Sequence, residues 1–146
     1  MLLTQHFHLE EFTTSRAAET NNIVNEPNAE EIEALRDLAQ ALENVRDLLE
    51  FPIVITSGFR CKKLNSLLKG ASNSHHILGF AADFICPDFG TPRQICQEIA
   101  ASNLLWDQLI LEGGAWVHYS IHPLMRQQIL TASFANGKAH YVKGLA

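Results

Sequence analysis

Apolar residues recur every three or four positions at Ile32, Leu35, Leu38, Leu42, Val45 and Leu48. That spacing lays one stripe along a helix that runs to about Leu49. Asn28 followed three residues later by Glu31 has capping-box spacing, with Pro27 just before it. The polar run Thr20 to Asn28 reads as a linker-like stretch that joins an amino-terminal segment to this helix. After Phe51 the pattern changes: Ile53, Val54 and Ile55 are β-branched and follow Pro52, which predicts a short buried strand before the Ser57-Gly58 break. A short helix through Leu64 to Leu68 is expected next.

The second half alternates at strand period. Ala82 to Cys86 predicts a strand, Pro92 to Ala101 a helix capped by Thr91, and Asp107 to Glu112 a further strand. Gly113 and Gly114 then supply a tight connection to a strand from Trp116 to about Ile121. A last strand pair falls near Gln128 to Phe134 and Ala139 to Val142. Helices come first and hairpin-linked strands follow, so the fold class is α+β, with amino-terminal helices on a mainly antiparallel sheet.

Composition narrows the function. The 146 residues fit a single domain, 1–146, and a chain of that length buries roughly 70% of the surface its unfolded form exposes. Hydrophobic content of 47% and charged content of 18% are ordinary for a globular protein. A net charge of −5, with no block of Lys and Arg, argues against a nucleic-acid binder. No stretch reaches the roughly 20 apolar residues that span a bilayer, and Met1 to Phe12 lacks a basic n-region. The chain is therefore expected to be cytoplasmic on synthesis, to work as a monomer, and to reach any substrate in the periplasm or cell wall after release. Cys61, Cys86 and Cys96 make an odd set without CxxC spacing, which reads as packing thiols rather than a disulfide framework.

The chemistry sits in two segments. In Ser74-His75-His76-Ile77-Leu78-Gly79-Phe80-Ala81-Ala82-Asp83 an imidazole and a carboxylate stand seven residues apart, with Gly79 between them to let the chain bend back. Zinc accepts imidazole nitrogen and carboxylate oxygen at about 2.0–2.2 Å, and a catalytic zinc uses three protein ligands and one open place. Trp116-Val117-His118-Tyr119-Ser120 offers the third ligand, because alternation puts Trp116, His118 and Ser120 on one face of a strand. A lone strand histidine is more often a packed or surface group than a ligand, so the pairing of the two segments carries the argument. His75 is an alternative to His76. His6, His8, His122 and His140 fall outside both segments and are assigned to surface or core.

These segments resemble the motifs of peptidase family M15, the zinc D-Ala-D-Ala carboxypeptidases and related endopeptidases, especially its short phage and prophage members. Ser-x-His-x-x-Gly-x-Ala-x-Asp is matched at Ser74, His76, Gly79, Ala81 and Asp83, and Trp-x-His-x-Ser at Trp116, His118 and Ser120. The likeness extends to Ser57-Gly58-Phe59-Arg60, Leu64-Asn65, Phe89-Gly90-Thr91-Pro92, Asp107-Gln108-Leu109-Ile110 and Arg126 to Ala132. It implies the fold of the hedgehog amino-terminal domain, one zinc ion on His76, Asp83 and His118, and peptidoglycan stem or cross-bridge peptides as substrates. His76 rather than His75 is in motif register.

Zinc in such a site supplies Lewis acidity and lowers the pKa of a water towards about 7. A carboxylate is then needed to move the proton to the leaving amine. The best-known members of the family carry an acid three positions before the last histidine, where this chain has Ala115. If Gly113, Gly114 and Ala115 form a three-residue loop, Glu112 pairs with Trp116, and Gln108, Ile110 and Glu112 share the His118 face. With a two-residue turn, Glu112 turns away and Asp107 moves to that side. Arg60 is the candidate grip for a substrate carboxylate or a developing oxyanion, with a structural ion pair as the plain alternative. Ser74, Gln108 and Trp116 are candidate substrate contacts, although a serine there equally stabilises a turn. Phe80 stands where many relatives carry glutamate.

The leading expectation is a zinc metallopeptidase of peptidoglycan, either a carboxypeptidase or an endopeptidase. Its rival is a catalytically inactive, zinc-containing peptidoglycan-binding module, which Ala115 favours. A purely structural zinc fits less well, because closed structural sites use four ligands rich in cysteine.

Overall fold

The computed structural model describes residues 1–145. Two short helices, α1 (Leu9–Thr13) and α2 (Arg16–Thr20), precede the long α3 (Ala29–Leu49). The capping box expected there is formed: the Asn28 side chain accepts from the Glu31 N–H, and the Glu31 carboxylate accepts from the Asn28 N–H, each at 2.8 Å. The remaining order is β1 (Val54–Ser57), α4 (Lys62–Leu67), α5 (His75–Leu78), β2 (Ala81–Ile85), α6 (Pro92–Ala100), β3 (Gln108–Glu112), β4 (Trp116–Ser120), β5 (Gln128–Ala135) and β6 (Lys138–Lys143). Thr91 caps α6 with Pro92 in its first turn, as the residues predict.

One six-stranded sheet runs in the order β1-β2-β4-β3-β5-β6. Every neighbouring pair is antiparallel except β3 with β5, which run parallel because residues 121–127 carry the chain across the start of β3 before β5 begins. Strand β1 departs from the expected buried strand. It starts one residue later, lies at the sheet edge and leaves Val54 about half exposed, since only β2 covers it.

Alternation gives the sheet two different faces. Phe84, Leu109, Leu111, Val117 and Tyr119 join Leu35, Leu38, Leu42 and Val45 of α3 and Ile95 and Ile99 of α6 in the core. Each fully buried side chain of this kind contributes roughly 1.5–3 kcal/mol relative to exposure. Cys86 and Cys96 are buried free thiols, and burial pushes Cys96 up to about 12. The other face carries Asp83, Ile110, Glu112, Trp116 and His118. His6 ties the amino-terminal segment to α3, its Nδ1 lying 2.6 Å from Glu43 Oε1. Among the described residues no helix is long and apolar enough to cross a membrane.

Candidate functional site

Sheet register brings the two motif segments together. Asp83 of β2 sits opposite His118 of β4, which sits opposite Ile110 of β3. His76 arrives from α5, a single turn that Ser74 opens by accepting the His76 N–H at 3.2 Å. Gly79 ends that turn at φ +82°, a conformation L side chains rarely adopt, and a Cβ there would lie 2.9 Å from the Glu31 carbonyl oxygen. The bend expected of this glycine is therefore a helix cap, and it returns the chain directly into β2.

One ligand atom from each of His76, Asp83 and His118 lies within 4.8 Å of the others, and all three residues are buried. His76 Nε2 is 3.4 Å and His118 Nδ1 3.0 Å from the same oxygen, Asp83 Oδ1. His76 Nδ1 lies 2.7 Å from the Gly58 carbonyl, which only accepts, so Nδ1 carries the proton and the Nε2 lone pair faces Asp83. This donor set fits a divalent transition ion: two imidazoles and one carboxylate converge, with one ring already fixed in the ligating tautomer.

Electrostatics agree with that geometry. Burial alone would raise Asp83, but the two imidazoles packed against it, His76 and His118, outweigh burial and hold the carboxyl well below its usual range. Burial pushes His76 down, which favours the neutral, ligating imidazole. For His118 burial acts in the same sense, but the hydrogen bond and charge of Asp83, with Glu112 beside them, win and raise it.

The loop between β3 and β4 is the three-residue one. Glu112 pairs with Trp116, Gly113 and Gly114 both take positive φ (+59° and +68°), and the Ala115 N–H returns to the Glu112 carbonyl at 3.0 Å. Glu112 consequently shares the face of His118, with Oε1 3.6 Å from His118 Nδ1, while its Oε2 accepts from Trp116 Nε1 at 3.2 Å. Burial, with the charge of Asp83, raises its pKa. Asp107 goes elsewhere. It accepts from the Arg126 N–H and Nε at 2.9 Å and from its terminal nitrogen at 2.7 Å, and those bonds hold its carboxyl below the usual range.

Arg60 leans over the group. One terminal nitrogen lies 3.6 Å from Asp83 Oδ2, and the guanidinium also donates to Ser57 Oγ at 3.3–3.4 Å and to Asn65 at 3.5 Å. Gln108 is on the same sheet face but further along β3, where its amide donates to Gln128 at 3.0 Å. Two further histidines stand apart from this group: His75, the alternative to His76, and His122, assigned to surface or core; their rings stack 4.7 Å apart beside Asp107. No local pattern marked His122, because its neighbours come from α5 and from the start of β3.

A buried His-Asp-His triad on the open face of an antiparallel sheet, with a desolvated glutamate beside it, defines a candidate hydrolytic metal centre. The family model described as Peptidase M15 matches residues 5–120, a span that holds all of these groups from Arg60 to His118. The chain belongs to peptidase family M15. No curated protein matches it.

Proposed function

We propose that this protein is a zinc peptidase that hydrolyses D-amino-acid-containing peptides of bacterial peptidoglycan, as a carboxypeptidase or stem-peptide endopeptidase of phage or prophage type. The reading rests on one observation: Glu112 reaches within 3.6 Å of His118 in a triad whose ligand atoms lie within 4.8 Å of one another. His76, Asp83 and His118 would hold the ion. Zinc there supplies Lewis acidity that polarises a carbonyl and acidifies a water.

The chain's own residues do the rest. Glu112 takes the proton of the attacking water on Oε1 and hands it to the leaving amine, so that peptide plus water becomes acid plus amine. Trp116 Nε1 binds the other oxygen and keeps Oε1 turned to His118. Glu112 thereby does the work of the acid that Ala115 lacks. Arg60 orients the substrate through a carboxylate or carbonyl oxygen, with Ser74, Gln108 and Trp116 lining the approach. The protein acts as a monomer in the wall or periplasm after release.

The test is incubation of the zinc-loaded protein with purified wall fragments, with and without chelator. Release of D-Ala or cleaved stem peptide that stops on chelation is expected. Sedimentation with walls in the absence of any cleavage would instead identify the inactive binding module.

A further inference from the structure

The single turn of α5 carries two adjacent histidines and sends them to different carboxylates. His76 meets Asp83, whereas His75 Nδ1 lies 3.6 Å from Asp107 Oδ2. The His122 ring stacks on His75 at 4.7 Å with an interplanar angle of 13°. One ligand atom from each of His75, Asp107 and His122 lies within 4.8 Å of the others, the spacing that also unites the first triad.

Two features distinguish this cluster from simple packing. His75 Nδ1 is buried and has no hydrogen-bond partner among the described residues, a desolvation that no contact there offsets. A carboxylate offers about four lone-pair positions. Arg126 takes two on Asp107 Oδ1 and one on Oδ2, which leaves an Oδ2 position beside His75. An ion bonded to that oxygen and to His75 Nδ1 at about 2.1 Å would subtend roughly 120°, near the tetrahedral value. His122 Nδ1 accepts the Leu124 N–H at 3.2 Å, an exposed hydrogen bond that a cation on that nitrogen replaces. His75, His122 and Arg126 line a cavity of about 610 Å³ with Asn65, Ser74 and Leu124, which leaves room for a water as fourth ligand.

We propose that His75, Asp107 and His122 form a second metal site, for a divalent transition ion of the zinc type, independent of the ion assigned to His76, Asp83 and His118. Two imidazoles with one carboxylate select zinc, nickel or copper over magnesium or calcium. An ion there ties α5 to the segment after β4. The Arg126 guanidinium neutralises part of the Asp107 charge, so this site fills after the first.

The experiment titrates metal-free protein with Zn²⁺ and Co²⁺, reading bound metal by dialysis and mass spectrometry and ligand geometry by the visible bands of Co²⁺. Two equivalents are expected for the unaltered chain. His122→Ala and His75→Ala should each drop to one and keep the first. His122→Gln, which preserves most of the stacking surface, guards against a folding defect, with circular dichroism as control. Uptake of a single equivalent by the unaltered chain, or retention of the second by either alanine variant, overturns the proposal. If that single equivalent disappears in His118→Ala, this proposal fails alone. If two ions bind as expected but wall fragments stay intact, the peptidase reading fails alone.

Discussion

The two His-Asp-His clusters draw on one short helix and yet are built for different tasks. In the first, two buried imidazoles share one oxygen of Asp83, and the nearest guanidinium, Arg60, stands off at 3.6 Å. In the second, Arg126 grips Asp107 at 2.7–2.9 Å and the imidazoles are half-buried. The group that joins each cluster differs in kind: a desolvated carboxylate, Glu112, in the first and a fixed cation in the second. A carboxylate in a dry pocket can move protons, whereas a guanidinium never gives one up. The proposed hydrolysis therefore falls to the first cluster. For the second we propose ion binding alone.

The largest effect should come from Glu112→Gln, which removes the proton acceptor but keeps the shape and the Trp116 contact. Turnover on wall peptides should fall by about 10²–10⁴-fold, while zinc content stays at the unaltered value. Full hydrolysis by this variant would move the general base elsewhere and erase the contrast between the clusters.

Arg126→Ala sharpens the contrast from the other side, because it gives Asp107 the freedom that Asp83 has. It leaves a fully buried carboxylate without its main donors, and the unfolding free energy should drop by about 1–3 kcal/mol. The sign with pH follows from the depressed pKa of Asp107. Its contribution is present above the unfolded value of about 3.9 and fades as pH falls towards the lower folded value. Urea titrations should thus separate the two proteins most at neutral pH and least in strong acid. A gap that stays constant down to strong acid would show that the Arg126 stem, not the ion pair, carries the stability.

How much of this was legible before folding differs between the clusters for a physical reason. Asp83 and His118 lie on strands, where period-two alternation told which residues share a face, and Gly79 announced the bend that aims His76. Glu112 was left open because its face depended on one turn, and alternation reverses with each residue added to a loop. The parallel pairing of β3 with β5 had no signal in the residues either, since it depends on where 121–127 passes. Likewise, nothing near His122 in the chain hints at Asp107 or His75; only the sheet and α5 bring them together. Position along a strand is written locally, but proximity between loops is not.

The turn that resolves Glu112 also makes the smallest prediction. Gly114 has φ +68° with nothing within 4 Å of a would-be Cβ, so alanine there meets strain but no clash. Left-handed backbone costs an L residue roughly 1–2 kcal/mol, which for a chain of this size lowers the melting temperature by about 2–4 °C per kcal/mol. Register should survive, because Glu112 and Trp116 remain three loop residues apart and Gly113 still bonds the Ala132 carbonyl at 2.8 Å. Gly114→Ala should consequently melt a few degrees earlier and cleave wall peptides at the normal rate. If it instead loses activity on the scale of Glu112→Gln while staying folded, the loop has slipped to the two-residue form. Alternation would then have turned the glutamate away from His118, and the first cluster would hold an ion as idly as the second.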